Sequence, residues 1–261
     1  MDLSQRQTHI ITLVQEMGHQ SVERLADQFD VTAQTIRRDV NRLCDLGLVR
    51  RVHGGVELLP KRQNLDYSER QILNIQQKWR IAKAVAARVQ DGTSIAFSIG
   101  TTPEVTMQAL VNHNELRIFT NNLNVAMIAS SNPSFDVTIV GGRIRHGDRD
   151  ILGSQTEQFF DNYKFDIGIF GVGGVDDDGV LLDFDEEEVS AREAISRNCR
   201  QTYLTVDHTK FGRAAHVRGG TLTDVNVIFT DEALPGWAGA IVQNSQTEVI
   251  VCDTGDAGHD R

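Results

Sequence analysis

Apolar positions recur with a helical period from residue 3 to 17, at Ile10, Ile11, Leu13, Val14 and Met17, and Gly18 ends the run. A second, shorter run puts Val22, Leu25, Ala26 and Phe29 on one face behind Ser21, a residue suited to cap it. Asp30-Val31 makes a turn. Thr32 then caps a third helix whose buried side is Ile36, Val40, Leu43 and Leu46, closed by Gly47. Residues 48–53 form a β-type run, and Gly54-Gly55 is a hairpin turn before Val56. Three helices followed by a hairpin are the parts of a winged helix-turn-helix.

Periodicity is lost over 57–66, which contains Pro60. A helical run resumes through Ile75, Trp79, Ile81, Ala82, Val85 and Val89 and stops at Asp91-Gly92. Beyond it, short apolar strands at 95–98, 117–120, 137–140, 166–170, 202–206, 225–229 and 248–251 alternate with helical stretches at 103–111, 123–130, 154–161, 187–198 and 236–243. Such alternation predicts an α/β domain, a mostly parallel sheet with flanking helices. The expected organisation is a winged helix-turn-helix head at 1–58, a linker at 59–76 and a larger effector domain at 77–261.

The chain's net charge of −10 argues against nucleic acid until it is divided. Residues 1–62 sum to +1, with +4 concentrated in 37–62, whereas 63–261 carry −11. A basic patch on an otherwise acidic chain suits a DNA-binding head on a soluble body. Hydrophobic residues make up 40% and charged residues 24%, ordinary for a globular protein. No apolar stretch is long enough to span a bilayer, so no membrane partner is expected. The first fifteen residues lack the basic start and apolar core of a signal peptide. The three cysteines, Cys44, Cys199 and Cys252, show neither a disulfide framework nor zinc spacing, which fits a reducing cytoplasm. No metal and no cofactor are expected.

In a helix-turn-helix the second of two packed helices enters the major groove with its N-terminal residues leading. Thr32, Gln34, Thr35, Arg37 and Arg38 lie at the start of the third helix, outside its apolar stripe. Gln pairs with adenine edges and Arg with guanine edges, and a helix start with threonine hydroxyls suits phosphates. Arg50, Arg51 and His53 sit on the hairpin, placed to reach the DNA backbone or minor groove. The competing reading is a small helical bundle with a solvated arginine face. The combination of cap, turn, basic helix start and basic hairpin favours double-stranded DNA.

Polar loops follow several of the expected strands. Gly100-Thr101-Thr102-Pro103 opens a helix, with Thr102 the expected cap and Pro103 at the first helical position. Its N–H groups and hydroxyls suit an anion. Asn121 and Asn122 offer amides to sugar or polyol hydroxyls, and Gly142 lies in the loop after the third strand. Asp207 is a hydroxyl acceptor and Lys210 a phosphate countercharge. Such loops gather at the carboxyl ends of parallel strands, where ligands bind.

The run 31–40, Val-Thr-Ala-Gln-Thr-Ile-Arg-Arg-Asp-Val, followed by Leu43, Gly47-Leu48 and Arg50-Arg51-Val52-His53-Gly54-Gly55, resembles the DeoR family of bacterial regulators. The resemblance continues through 99–104, 120–126, 182–185, Glu188-Val189 and 206–213. It implies a sensor domain similar in fold to ribose-5-phosphate isomerase and a repressor released from operator DNA by a phosphorylated polyol or sugar. The match is to members that govern glycerol 3-phosphate use, which implies sn-glycerol 3-phosphate as effector. Where that pattern has basic residues after its Glu-Val, this chain has Ser190-Ala191-Arg192-Glu193. A symmetric homo-oligomer, dimer or tetramer, is expected from the way such heads read paired half-sites.

Two other functions share these parts: an activator or dual regulator sensing another sugar phosphate, and an isomerase-type enzyme carrying a DNA-binding head. The regulator without catalytic residues is the expectation. The acidic run 176–188 reads as a solvated loop and helix start, since it lacks the spacing of an EF-hand. Gly168, Gly171, Gly173 and Gly174 lack a nucleotide-loop pattern and read as strand-end packing.

Overall fold

A computed structural model describes residues 3–45, 48–52, 54–57 and 65–252. Leu46, Gly47, His53 and Pro60 lie outside the described residues. The chain divides into two compact units, Met1–Arg70 and Gln71–Arg261.

In the first unit, α1 (Gln5–Met17) starts at Ser4, whose hydroxyl accepts from Gln7 N while Gln7 Oε1 accepts from Ser4 N. A two-residue strand β1 (Gln20–Ser21) leads into α2 (Val22–Gln28), and Ser21 caps it by accepting from Arg24 N. After the turn, α3 (Ala33–Asp45) begins behind Thr32, whose Oγ1 accepts from Thr35 N at 3.2 Å. The hairpin of β2 (Arg50–Val52) and β3 (Gly55–Glu57) follows. β3 also pairs with β1, giving an antiparallel sheet in the order β1-β3-β2. Ile10, Val14, Leu25, Ile36, Val40, Leu43 and Val56 are fully buried between helices and hairpin. The helical stripes read from the sequence therefore form the core, except that Met17, in the last turn of α1, is exposed, and the third strand is an addition to the expected hairpin.

The stretch expected as a linker is partly helical. α4 (Tyr67–Ile72) begins where Asp66 N donates to Glu69 Oε2, and α5 (Ile75–Ala86) opens at Asn74.

The second unit is a seven-stranded parallel sheet with helices on both faces. Along the chain, β4 (Ser94–Phe97), α6 (Thr101–Leu110), β5 (Arg117–Thr120), α7 (Leu123–Ala129) and β6 (Asp136–Ile139) come first. A short hairpin, β7 (Ile144–Arg145) and β8 (Asp150–Ile151), precedes α8 (Ser154–Asp161) and β9 (Phe165–Phe170). Then come β10 (Gly174–Val175), β11 (Val180–Asp183), α9 (Glu186–Arg197), β12 (Cys199–Thr205), β13 (Val217–Thr221), β14 (Val227–Thr230), α10 (Gly236–Val242) and β15 (Glu248–Val251). The sheet order is β15-β14-β12-β9-β4-β5-β6, and all seven strands lie where the apolar runs predict them.

Alternate residues of each strand face opposite layers. Ile95, Phe97, Ile118, Ile169, Tyr203 and Phe229 pack with Ile81, Val85, Met107, Leu110 and Val125 of α5, α6 and α7. On the other face, Ala96 meets Phe160 and Ile195 from α8 and α9, and Leu204 and Ile228 meet Ala238 and Val242 from α10. β10, β11 and β13 form a separate antiparallel sheet.

The acidic run departs from the solvated-loop reading. Val180–Asp183 is a strand buried throughout, and Asp183 and Glu188 are buried. Each is accommodated by an arginine: Arg192 lies 3.1 Å from Asp183, and Arg145 lies 2.6 Å from Glu188. The helix start is as expected, with Asp185 accepting from Glu187 N.

Candidate nucleic-acid interface and ligand site

α3 divides its sides sharply. Ile36, Val40 and Leu43 are fully buried, whereas Thr32, Gln34, Arg37 and Arg38 are exposed and Thr35 is half-buried. Thr32 and Thr35 share a hydroxyl–hydroxyl bond of 3.0 Å across the first turn. Arg37 lies 3.8 Å from Glu23 of α2. On the hairpin, Arg51 is exposed on β2, and Arg50 begins that strand. His53, the remaining candidate, lies outside the described residues.

One polar residue of the Thr-Ile-Arg-Arg-Asp run has a different task. Asp39 is buried and accepts from Arg6 Nε at 2.6 Å and from Gln7 Nε2 at 2.9 Å. It fixes α3 against α1, so the cationic side chains before it stand on an anchored helix. Its position next to Val40, inside the apolar stripe, is the sequence signal for this role.

In the second unit, the loops after β12, β9, β4 and β5 lie side by side because those strands are neighbours in that order. A Cβ placed on Gly171, after β9, would lie 3.5 Å from Thr205 O and 3.7 Å from Pro103 Cδ, which measures how closely three of these loops approach. Gly100 caps α6 with φ of 119°, a conformation that favours glycine, and the helix starts at Thr101. Thr102 is therefore inside the helix and not its cap. Its carbonyl accepts from Thr106 Oγ1 at 2.9 Å.

Asn122 is engaged at both ends of its amide. Its Oδ1 accepts from Asn124 N and Val125 N to cap α7, and its Nδ2 donates to Glu104 Oε1 at 3.0 Å. Asn121 donates to Ile151 O at 3.0 Å, while its buried Oδ1 has no hydrogen-bond partner among the described residues. The β7–β8 hairpin thus lies against the end of β5. Gly142 is exposed in the loop between the edge strand β6 and that hairpin, and a Cβ there would stand 2.7 Å from Ile151 Cγ2.

Asp207 lies in the loop after β12. Its side chain is buried and accepts from Thr209 N, from Thr209 Oγ1 and, at 3.1 Å, from Asn74 Nδ2. Burial alone would raise its pKa, but the charges of Lys210 and Lys78 and the Thr209 bonds outweigh it and hold the carboxyl below the usual range. Asp183 has the opposite balance: burial pushes it up against the pull of Arg192, Gly173 N and Lys210. Lys210 therefore acts on two buried carboxylates.

Lys78 and Asn74 were not among the sequence candidates. Both lie at the start of α5, one turn apart, and Lys78 is only 4% exposed. The legible signal was a lysine within the apolar stripe that continues at Ile81, Ala82 and Val85. Asp231 is also buried, and it takes both His208 N at 2.7 Å and His208 Nδ1 at 2.8 Å. That carboxylate bond raises the His208 pKa against partial burial. His208, Asp231 and Glu232 present donor atoms within 4.8 Å of one another, as do Asp176, Asp177 and Asp178. In the first group Arg80 stands 3.6 Å from Asp231, so positive charge is already supplied there.

Residues 6–62 match the family description "DeoR-like helix-turn-helix domain", and residues 73–232 match "DeoR C terminal sensor domain". The chain belongs to the DeoR family. Among relatives of this DeoR-family chain, the glycerol-3-phosphate regulon repressor of Escherichia coli is 39% identical over 252 residues, covering 97% of this chain and 100% of that protein. The glycerol-3-phosphate regulon repressor of Haemophilus influenzae is 42% identical over 253 residues, covering 97% and 98%. Among solved structures, ribose 5-phosphate isomerase A of Methanocaldococcus jannaschii is similar with a TM-score of 0.40 and 17% identity, over 53% of this chain and 55% of that one. This DeoR-family chain is a DNA-binding transcriptional regulator with a sensor domain and not an enzyme, which removes the isomerase alternative. Among the described residues, no helix is long and apolar enough to cross a membrane.

Proposed function

We propose that this DeoR-family regulator is a cytoplasmic repressor of a carbon-source regulon that leaves its operator on binding sn-glycerol 3-phosphate. The observation that carries the effector reading is the buried Asp207 carboxylate with Lys210 and Lys78 acting on it beside the strand-end loops. A carboxylate accepts polyol hydroxyls and lysines take a phosphate, so the arrangement suits a phosphorylated polyol. The names of the E. coli and H. influenzae relatives support the particular compound.

On the DNA side, Thr32, Gln34, Thr35, Arg37 and Arg38 enter the major groove, with Arg50, Arg51 and His53 on the backbone or minor groove. Gly100, Thr101, Thr102, Asn121, Asn122, Gly142, Asp207 and Lys210 enclose the effector. The head at 1–58 and the sensor at 77–261 are joined by 59–76, and the regulator works as a homodimer or homotetramer on paired half-sites. Effector binding favours a state with lower DNA affinity. A hundredfold release corresponds to about 2.7 kcal/mol of coupling, and reciprocity requires DNA to weaken effector binding by the same factor.

The test is fluorescence anisotropy on duplexes selected by the purified protein from a random pool. Addition of sn-glycerol 3-phosphate is expected to release them, and glycerol is not. Release by glycerol alone overturns the phosphate assignment, and failure of sn-glycerol 3-phosphate to release the duplex overturns the effector.

A further inference from the structure

The two arginines at the start of α3 are not equivalent. Arg38 is exposed, and among the described residues no ion pair holds it. Arg37 lies 3.8 Å from Glu23, on the first turn of the neighbouring helix α2. Both side chains are open to solvent, at 56% and 66% exposure. Exposed pairs of this kind contribute little to stability, so the fold gives no reason for the contact. Its position does: Glu23 is a carboxylate on the first turn of α2, beside the start of α3.

We propose that Glu23 is a specificity-determining residue that aims Arg37 at a base edge and keeps non-specific binding weak. This rests on the reading that the start of α3 enters the major groove. Two physical effects combine. A guanidinium drawn toward a carboxylate on one side favours orientations on that side, which supports one defined contact over several loose phosphate contacts. A carboxylate next to the phosphate backbone is repelled by every duplex. Only the cognate sequence offsets that repulsion with a base contact from the aimed arginine. Specificity is a difference of affinities: the repulsion, common to all sequences, lowers affinity throughout and cancels from that difference, whereas the base contact of the aimed arginine is confined to the right sequence and sets it.

The experiment compares the full chain with Glu23→Gln, Glu23→Asp and the double variant Arg37→Ala, Arg38→Ala. Each is titrated against the selected duplex, a single-base-substituted set of it, and a duplex of unrelated sequence, across a salt series. Glu23→Gln is expected to bind the unrelated duplex about fivefold more tightly. Its salt dependence on that duplex should steepen by about 0.9 in log–log slope, as a freed Arg37 neutralises one more phosphate. Discrimination should fall at one base pair and not at the others. Glu23→Asp keeps the charge but withdraws it by one methylene from an arginine already 3.8 Å away, and it is expected to lose the same discrimination.

If Glu23→Gln leaves the ratio of specific to non-specific affinity unchanged, the proposal is wrong. If Glu23→Asp discriminates like the parent while Glu23→Gln does not, charge alone acts and the aiming role is overturned. The double arginine variant separates these failures from failure of the reading itself: should it still hold DNA, α3 is not the reader.

Discussion

Asp39 of α3 accepts a 2.9 Å hydrogen bond from the side-chain amide of Gln7, whose own Oε1 accepts from the backbone of Ser4 at the start of α1. A helix cap and a helix–helix contact are thus one chain of bonds, completed by Arg6 at 2.6 Å on the other carboxylate oxygen. Asp39→Ala would leave the Gln7 amide buried without its acceptor, a loss of about 1–3 kcal/mol. The expected outcome is a lower urea midpoint for the transition of the N-terminal unit and weaker DNA binding, although Asp39 does not face solvent. Unchanged stability together with lost DNA binding would instead make Asp39 a direct contact.

Glu188 supplies a pH dependence with a definite sign. Burial pushes its pKa from 4.5 up to about 7, against the hydrogen bond and charge of Arg145. The folded state therefore holds this proton more tightly than the unfolded state. The contribution to stability is fully present below about pH 4.5 and is lost as pH rises to about 7. It is worth on the order of 1–3 kcal/mol. Denaturant titrations of the parent and of Glu188→Gln between these limits should differ in slope, with the parent losing more stability on the way up. Parallel curves would mean that Arg145 keeps Glu188 ionised throughout.

The places where sequence reading succeeds and fails have physical causes. Strands buried on both faces are nearly continuous apolar runs, so β4, β5, β9, β12 and β14 were legible. Two-residue strands such as β1, β7 and β8 carry no period and were not. Thr102 was read as a cap because threonine usually suits that position, but Gly100 occupies it through a backbone conformation that composition does not display. Asp183 and Glu188 were read as solvated because their arginines lie elsewhere in the chain, 9 and 43 residues away. Of the proposed ligand site, Asp207 and Lys210 are visible as charged residues after a strand. Asn74 and Lys78 come from a helix that precedes the sheet and required the fold to bring them there.

Lys210→Ala should uncouple the two activities. Lys210 acts on both Asp207 and Asp183, two buried carboxylates, and its loss removes the cation they share. DNA affinity measured by anisotropy is expected to stay near that of the parent, while release by sn-glycerol 3-phosphate falls at least tenfold, the equivalent of about 1.4 kcal/mol. Arg37→Ala with Arg38→Ala should show the converse, with effector binding retained in a thermal-shift titration and DNA binding lost. Normal release by the Lys210 variant would remove lysine from the phosphate contact.

Gly174→Ala tests how tightly the segment after Lys210 is held. A Cβ at Gly174 would stand 2.1 Å from the backbone oxygen of Arg213, an atom that cannot swing aside. β10 is fixed on one side by β11 and on the other by residues 211 to 213, with Gly212 N donating to Val175 O at 2.7 Å. The substitution must therefore displace the segment directly after Lys210. Overpacking of this kind costs about 1–3 kcal/mol. Gly141→Ala is the matched control, since nothing lies within 4 Å of a Cβ there. It should change stability by less than about 0.5 kcal/mol. Urea unfolding followed by tryptophan fluorescence distinguishes the two. Because the displaced segment directly follows Lys210, Gly174→Ala should also weaken effector release more than its loss of stability accounts for at temperatures where the fold is intact. If both variants unfold alike, the loop yields easily and Lys210 is not held in place by β10.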